Sequence, residues 1–482
     1  MRYLSTRDAG KVPATHTFED VLLAGLAEDG GLYVPENVPP LDRAALGALA
    51  GLPYGELAAR VVALFAGKSF TPAELSQLTG AAYGNFRHEA VAPLVQLDER
   101  LWLLELFHGP TLAFKDLALQ LVGLMFDRVL ARRGERVTIV GATSGDTGSA
   151  ALAACRDKEA LDIFMLYPQG RISEVQRRQM TTVEAANAYA LAIEGTFDDC
   201  QDIVKALFAE PGLRRDLNLS AVNSINFARV AAQIVYYFAA GLALGAPSRP
   251  LSFSVPTGNF GNVYAGHLAR ALGLPIERLV IGTNANDILA RYLASGDMSI
   301  LPVMPSLSPS MDIQVASNFE RLLFELKGRN GGAVTAHLQE FRRTGTLPAD
   351  EQAWHAARRL FSGHRVDDAQ TVATIADTYR RTGHLVDPHT AVAIAAARME
   401  LDSAELAQDR SATPMVALAT AHPAKFPDAV ERATGIRPPV PPTLAAIMGR
   451  RERITILPND VGAVAHFVRA HARRARPNLG AA

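Results

Sequence analysis

His108, Gly109, Pro110 and Thr111, with Phe114 and Lys115 after a two-residue spacer, set one lysine behind a tight Gly-Pro turn. The run Lys115-Asp116-Leu117-Ala118-Leu119-Gln120-Leu121 that follows reads as a helix start, and Phe107 and Phe114 flank the lysine with apolar surface. Desolvation there disfavours the ammonium form and lowers its pKa, the condition a Schiff-base lysine requires. A solvated lysine at an ordinary helix start is the competing reading, and two glycine-rich segments weigh against it. In the first, an apolar run from Val137 to Val140 leads into Gly141-Ala142-Thr143-Ser144-Gly145-Asp146-Thr147-Gly148 and an alanine-rich helix. Backbone N–H groups in such a loop, at a helix N-terminus, bind carboxylate or phosphate. The alternative is a plain strand–turn–helix junction capped by Ser144 or Thr147. No Gly-Lys-Ser/Thr closes the loop, so it is not a nucleotide P-loop. In the second, Ser252 to Pro256 runs into Thr257-Gly258-Asn259-Phe260-Gly261-Asn262, where two glycines permit unusual backbone angles and close approach of amides to a ligand. Two anion cradles and a reactive type of lysine point to a phosphorylated aldehyde cofactor and an anionic substrate held together.

The motifs His108-Gly-Pro-Thr-Leu-Ala-Phe-Lys-Asp116, Ala142-Thr-Ser-Gly-Asp-Thr-Gly148 and Thr257-Gly-Asn-Phe-Gly-Asn262 resemble those of the threonine synthase family in its bacterial and fungal form. Further matches run along nearly the whole chain in the family's order. They are Asp29 to Pro35, Asn223 to Asn226 with Arg229, Pro309 to Ile313 with Ser317 to Arg321, Asp387 to Ala391, and Thr420 to Phe426.

The resemblance implies a pyridoxal 5′-phosphate enzyme of fold type II, related to the tryptophan synthase β subunit: an α/β fold with two parallel-sheet lobes and a small helical N-terminal domain. The implied reaction is conversion of O-phospho-L-homoserine and water to L-threonine and phosphate, the last step of threonine biosynthesis. Lys115 would carry the cofactor and move protons on the substrate. Gly258, Asn259, Phe260, Gly261 and Asn262 would cradle the cofactor's phosphate, and Thr420 would set a neutral hydroxyl against its pyridine nitrogen. Ser144, Gly145, Asp146 and Thr147, with Thr111, would receive the substrate. Asp146 is awkward beside an anion, and related folds carry Asn there, so it is expected to face the cofactor's ring hydroxyl or a lysine. Asn226, Arg229, Arg321 and Lys425 are candidates for the substrate's phosphate, with a surface position as the alternative for either arginine. His108, His389 and His422 receive no catalytic role. Two rivals remain: a phospho-lyase on the same scaffold releasing 2-oxobutyrate, and a catalytically inactive homologue, against which Lys115 itself argues. No activation by S-adenosylmethionine is expected, because the resemblance gives no sign of the extension through which some plant relatives respond to it.

The elements that must position these residues alternate along the chain. Leu101–Phe107, Arg136–Val140, Ile163–Leu166, Tyr189–Ile193, Phe253–Val255 and Leu279–Gly282 read as strands. Leu117–Arg132, Ser149–Lys158, Ser173–Met180, Asp199–Ala209 and Val263–Leu272 read as helices between them. That alternation predicts parallel sheets covered on both faces, with ligands beyond the C-terminal strand ends. Residues 1–92 read as a mostly helical unit (Phe18–Glu28, Asp42–Leu49 and Pro72–Leu78), 93–440 as the catalytic core of two lobes, and 441–482 as a C-terminal segment beyond a rigid Pro438 to Pro442 connection. Within the core, Ala353–Phe361, Ala369–Arg381 and Thr390–Leu401 are predicted helices, and Met415–Ala419 a strand ending on Thr420.

The chain has 482 residues, 49% of them hydrophobic, and 48 basic against 49 acidic side chains. That balance carries no signature of a nucleic-acid or membrane partner. The basic run His471 to Arg476 is expected to be a solvated tail. Cys155 and Cys200 have no disulfide or metal spacing, the histidines lack ligand spacing, and no metal is expected. Charges in Met1 to Lys11 leave no signal-peptide core, so a cytoplasmic protein is expected, a monomer or homodimer. The apolar stretch Val230 to Pro247 falls short of the ~20 residues of a membrane span and reads as a buried helix.

Overall fold

The computed structural model describes residues 1–10, 12–221, 223–404 and 413–473. Two sheets carry the architecture. The larger has six strands in the order Phe361–Arg365, Ile276–Thr283, Leu251–Pro256, Met415–Ala419, Leu101–Glu105 and Leu94–Gln96. All run parallel except Leu94–Gln96, which pairs antiparallel with Leu101–Glu105 as an edge strand. The smaller has five parallel strands in the order Thr455–Pro458, Ala188–Glu194, Leu161–Pro168, Val137–Ala142 and Leu219–Ser220. Every residue of Leu161–Pro168, Leu251–Pro256 and Met415–Ala419 is buried, as expected of strands covered by helices on both faces.

Helix starts follow from local chemistry. Ser173 with Gln176 and Thr196 with Asp199 form reciprocal capping boxes before Glu174–Thr181 and Phe197–Ala209. The apolar stretch after Arg229 belongs to helix Phe227–Ala243, buried almost throughout and packed against helices Gly261–Ala271, Lys115–Arg133 and Tyr54–Ala66. The N-terminal region pairs Tyr3–Ser5 antiparallel with Tyr33–Pro35 and adds helices Phe18–Ala24, Arg43–Gly47, Tyr54–Ala66 and Pro72–Tyr83.

Three expectations need correction. Residue 361 opens a strand, Phe361–Arg365, and the preceding helix stops at Arg358. The C-terminal segment, read apart from the 93–440 core, joins it: Thr455–Pro458 extends the smaller sheet, and helix Val461–His471 packs Val464 and Val468 into that lobe's core. Arg473 is tied down as well, its N–H and Nε donating to Asp162 at 2.9 and 2.8 Å; Arg474 to Arg476 lie outside the described residues.

Candidate active site

Three neighbouring strands of the larger sheet deliver three of the motifs. Leu101–Glu105 leads to the turn before Lys115, Met415–Ala419 ends at Thr420, and Leu251–Pro256 runs into Gly258–Asn262. The fourth motif follows Val137–Ala142, an inner strand of the smaller sheet.

The turn before Lys115 is built around Asp116. Thr111 donates its N–H and its hydroxyl to the Asp116 carboxylate, both at 2.8 Å. Burial, only partly offset by those bonds, pushes the Asp116 carboxyl up to about 6. A Cβ on Gly109 would lie 2.4 Å from the Asp116 Cβ, so only glycine fits there. Leu112 takes a left-handed φ of 64°. The turn is stitched to the neighbouring strand end: the Phe114 N–H donates to the Thr420 carbonyl at 2.9 Å, and the His422 N–H to that of Leu112 at 3.0 Å. Lys115 thereby becomes the first residue of helix Lys115–Arg133, its Nζ 4.9 Å from the Phe114 ring centroid.

The Lys115 Nζ stands 3.7 Å from the Asp146 carboxylate. Burial lowers the amine's pKa; Asp146 pulls it back up, and Lys425 and Arg229 push it down again. Asp146, the first residue of helix Asp146–Cys155, also meets Lys425 at 3.0 Å and accepts from the Gln176 amide at 2.9 Å. Burial opposes its ionisation, but Lys425 and then Lys115 outweigh that and hold the carboxyl well below the usual carboxylate range. Lys425 is fully buried and spends its other bonds on the Thr111 carbonyl (2.7 Å) and Gln179 Oε1 (2.8 Å). Of the two partners expected for Asp146, the described residues supply lysine, and two of them.

In the same loop, Gly145 and Gly148 donate their N–H groups to Thr143 Oγ1 at 3.0 and 2.8 Å. A side chain on Gly145 (φ 135°) would strike Gln176. Ser144 is exposed and Thr147 half-buried.

At the second cradle, helix Gly261–Ala271 starts without a side-chain cap, after Phe260 in a left-handed conformation. Its first amides are therefore left for a ligand. A Cβ on Gly258 would come within 3.2 Å of the strap Pro309–Ile313, touching Ile313, the Ser310 carbonyl and Met311 Cα. Asn262 Oδ1 accepts from Tyr236 and Tyr237 at 2.6 and 2.8 Å, while its Nδ2 is buried without a protein partner. The Thr420 side chain is buried beside this cradle's strand and makes no hydrogen bond with the described residues.

The two candidate arginines separate. Arg229 is buried, its Nε and Nη1 have no partner, and burial lowers its pKa to about 10. Arg321, fully buried, donates to the carbonyls of Tyr33 (2.9 Å) and Ile225 (2.5 Å) and to Asn318 Oδ1, so it is spoken for. Asn226 is similarly committed, capping its helix through the Ala228 N–H (3.0 Å) and donating to the Leu22 carbonyl (2.8 Å). The motif histidines serve structure. His108 pairs with Glu105 at 2.8 Å, His422 accepts the Ala424 N–H at 3.1 Å, and His389 donates to Asp387 (2.7 Å) while accepting the Ser310 N–H (3.3 Å) under the strap. Gln176, Gln179 and Asn318 were missed by sequence reasoning. The pair Gln176 and Gln179, three apart on one helix face, was the visible signal for the first two.

An uncapped helix start, a glycine with no room for Cβ, an unpartnered amide and an unpartnered buried guanidinium suit a phosphorylated, anionic occupant. Comparison with known proteins agrees. Residues 2–83 match the family model "Threonine synthase N terminus", 86–347 "Pyridoxal-phosphate dependent enzyme" and 390–468 "Threonine synthase, C-terminal". The threonine synthase of Pseudomonas aeruginosa is 55% identical over 99% of this chain and 100% of its own, and that of Saccharomyces cerevisiae is 42% identical over 89% of this chain and 88% of its own. The crystal structure of threonine synthase from Brucella melitensis with pyridoxal phosphate bound superposes with a TM-score of 0.93 at 50% identity, covering 98% of this chain and 100% of that one.

Proposed function

The chain belongs to the threonine synthase family, and we propose that it converts O-phospho-L-homoserine and water into L-threonine and phosphate with Lys115 carrying the cofactor. It is a pyridoxal-phosphate-dependent lyase of the two-lobed α/β type. The observation that carries the reading is the largely buried Lys115 Nζ, 3.7 Å from Asp146, at a helix start stitched to the Thr420 strand end, with the strand before the Gly258–Asn262 turn next in the sheet.

When bound, pyridoxal 5′-phosphate supplies an electrophilic carbon for an amine and a conjugated ring that accepts electron density from substrate carbon. The residues that would hold it are Lys115, the amides and Asn262 Nδ2 of the 258–262 turn, and the Thr420 hydroxyl. As a neutral hydroxyl, Thr420 would offer the ring nitrogen no charged partner to keep it protonated, which would suit elimination over transamination. The rest of the chemistry falls to side chains of this protein. Lys115, with its proton affinity lowered by burial, is the mobile base that takes the protons from substrate Cα and then Cβ. Asp146 limits how far that affinity falls and holds the amine beside it, while Lys425 adds to the fall. The amides and hydroxyls of Ser144 to Thr147 receive the α-carboxylate. Arg229 pairs with the substrate's phosphate, the charge it lacks within the protein. Phosphate departs from Cγ first and Cγ takes up a proton; water then adds its hydroxyl at Cβ, its remaining proton going to the released phosphate, and a last proton returns to Cα, with Lys115 carrying the protons to and from carbon.

Among the described residues no helix is long and apolar enough to cross a membrane. The two free, buried thiols suit a reducing compartment, and we place the enzyme in the cytoplasm. The test is a coupled assay on purified protein supplied with the cofactor and O-phospho-L-homoserine. Phosphate and threonine should appear in equal amounts, and borohydride reduction should label Lys115. Lys115→Ala should abolish both. Release of 2-oxobutyrate in place of threonine would turn the reading to the phospho-lyase, and no phosphate release would sink it.

A further inference from the structure

We propose that Arg321, acting through Asn318, holds the Asn259–Phe260 turn in the shape that receives the cofactor's phosphate, and so positions the cradle without touching substrate. This rests on the reading of residues 258–262 as the phosphate site. Asn318 sits just before helix Phe319–Leu326 and is fully buried. It aims two donors at one carbonyl: its backbone N–H and its Nδ2 both meet the Asn259 oxygen at 3.0 Å, and Nδ2 also reaches the Ser224 carbonyl at 3.2 Å. That pins the peptide between Asn259 and Phe260. Phe260 can then hold a φ of 65°, a region costly for a residue with a side chain. Its ring is buttressed by Phe319 and Phe361 at 5.6 and 5.8 Å.

An amide side chain has one accepting end and one donating end, and which way it points is decided by its neighbours. Arg321 Nη1 donates to Asn318 Oδ1 and so assigns the ends. The NH2 group is left no direction but the Asn259 and Ser224 carbonyls. Arg321 is itself fixed by Tyr33 O and Ile225 O, with its guanidinium 5.9 Å from both the Phe227 and Tyr264 rings. The motif around Tyr33, the 223–226 turn and the cradle are thus joined through one buried cation. Without it, the Asn318 amide can turn its oxygen toward another oxygen, and the pin on the cradle is lost.

The experiment compares wild type, Arg321→Gln, Asn318→Asp and Gly258→Ala. It measures pyridoxal 5′-phosphate dissociation from apo-protein, the phosphorus NMR shift of the bound cofactor, and KM for O-phospho-L-homoserine at saturating cofactor. Arg321→Gln and Asn318→Asp are expected to weaken cofactor binding by roughly tenfold or more, the worth of one buried hydrogen bond. Both should move the phosphorus resonance and leave KM near wild type. Should Arg321→Gln fail to fold, Asn318→Asp decides: it exchanges the Nδ2 donor for an acceptor oxygen that the Asn259 carbonyl cannot bond, keeps Oδ1, and sets its charge beside Arg321. A raised KM with unchanged cofactor affinity would overturn the proposal in favour of direct substrate contact. A lower melting temperature with affinity and resonance unchanged would overturn it in favour of packing alone. If Gly258→Ala moves the resonance and the other two do not, the positioning role fails alone. If none of the three moves it, the reading of the cradle itself fails.

Discussion

Arg229 brings a positive charge into the protein and finds no acceptor for its Nε and Nη1. A buried charge left unpaired costs stability, and replacing it by an apolar group of similar length removes that cost. Arg229→Met should therefore keep or raise the melting temperature while raising KM for O-phospho-L-homoserine by about tenfold to a hundredfold, the range for a charge-assisted bond. A fall in melting temperature with KM unmoved would show the guanidinium to be structural. The pair around Lys115 makes an opposed prediction. Asp146 raises the proton affinity of that amine and Lys425 lowers it. Asp146→Asn should shift the pH at which Lys115 becomes reactive toward the cofactor further down, and Lys425→Met should shift it up. The pH dependence of cofactor incorporation into apo-protein, followed by visible absorbance, reads both shifts; movement in the same direction would contradict this arrangement. Lys115 itself was legible in the sequence because turn, lysine and flanking aromatics are contiguous. The ion pairs that set its chemistry were not, because Asp146 and Lys425 come from different lobes of the sequence pattern and meet only in the fold. Arg229 and Arg321 looked alike as motif residues, and only their partners distinguish them.

The elements that carry the site were read best where both faces are buried. Leu161–Pro168 is apolar apart from Asp162, Leu251–Pro256 interrupts its apolar residues only with two small serines, and the predicted segments fall inside them. Edge elements escaped. Phe361–Arg365 reads Phe-Ser-Gly-His-Arg, with no hydrophobic pattern, and Thr455–Pro458 is only four residues of Thr-Ile-Leu-Pro, too short for one; backbone pairing with a neighbouring strand makes them strands. Helix Tyr54–Ala66 escaped for a related reason: it starts after Pro53 with no side-chain cap and carries Gly55 in its first turn. At this scale the Gly109 turn is the element most open to test. A methyl group there would overlap the Asp116 side chain, which Thr111 holds by two bonds and which cannot swing away without losing them. Gly109→Ala should cost about 1–3 kcal/mol of stability, the usual price of overpacking. It should also slow borohydride-trapped labelling of Lys115, because the displaced turn begins the helix that carries it. A variant with wild-type stability and labelling would mean that the turn accommodates the methyl group and does not set the lysine's position.

For the whole molecule, the helix-covered parallel sheets followed from the alternation of strands and helices and the two-lobed plan from the family resemblance, but the course of the last forty or so residues followed from neither. Read as a segment beyond a proline connection, they return to the smaller sheet. Thr455–Pro458 covers the edge of Ala188–Glu194, and Val464, Ala465 and Val468 close an apolar cluster with Leu191, Ile193, Cys200, Ile203 and Leu207. Arg473 ends the described chain on the Asp162 carboxylate at the start of Leu161–Pro168. That strand neighbours Val137–Ala142, whose far end carries the Ser144–Thr147 loop, so the C-terminal elements brace the lobe that would hold the substrate's carboxylate. Truncation after Val440 would uncover a strand edge and several apolar side chains worth about 1.5–3 kcal/mol each on burial. The shortened protein should aggregate or melt well below the full chain. A gentler variant, Arg473→Ala, should lower stability by roughly 1–3 kcal/mol through the unpaired Asp162, with KM unchanged because the lobe still folds. Circular dichroism melts beside steady-state kinetics separate the two effects. A truncated chain that melts like the full one would mean that these residues only decorate the lobe.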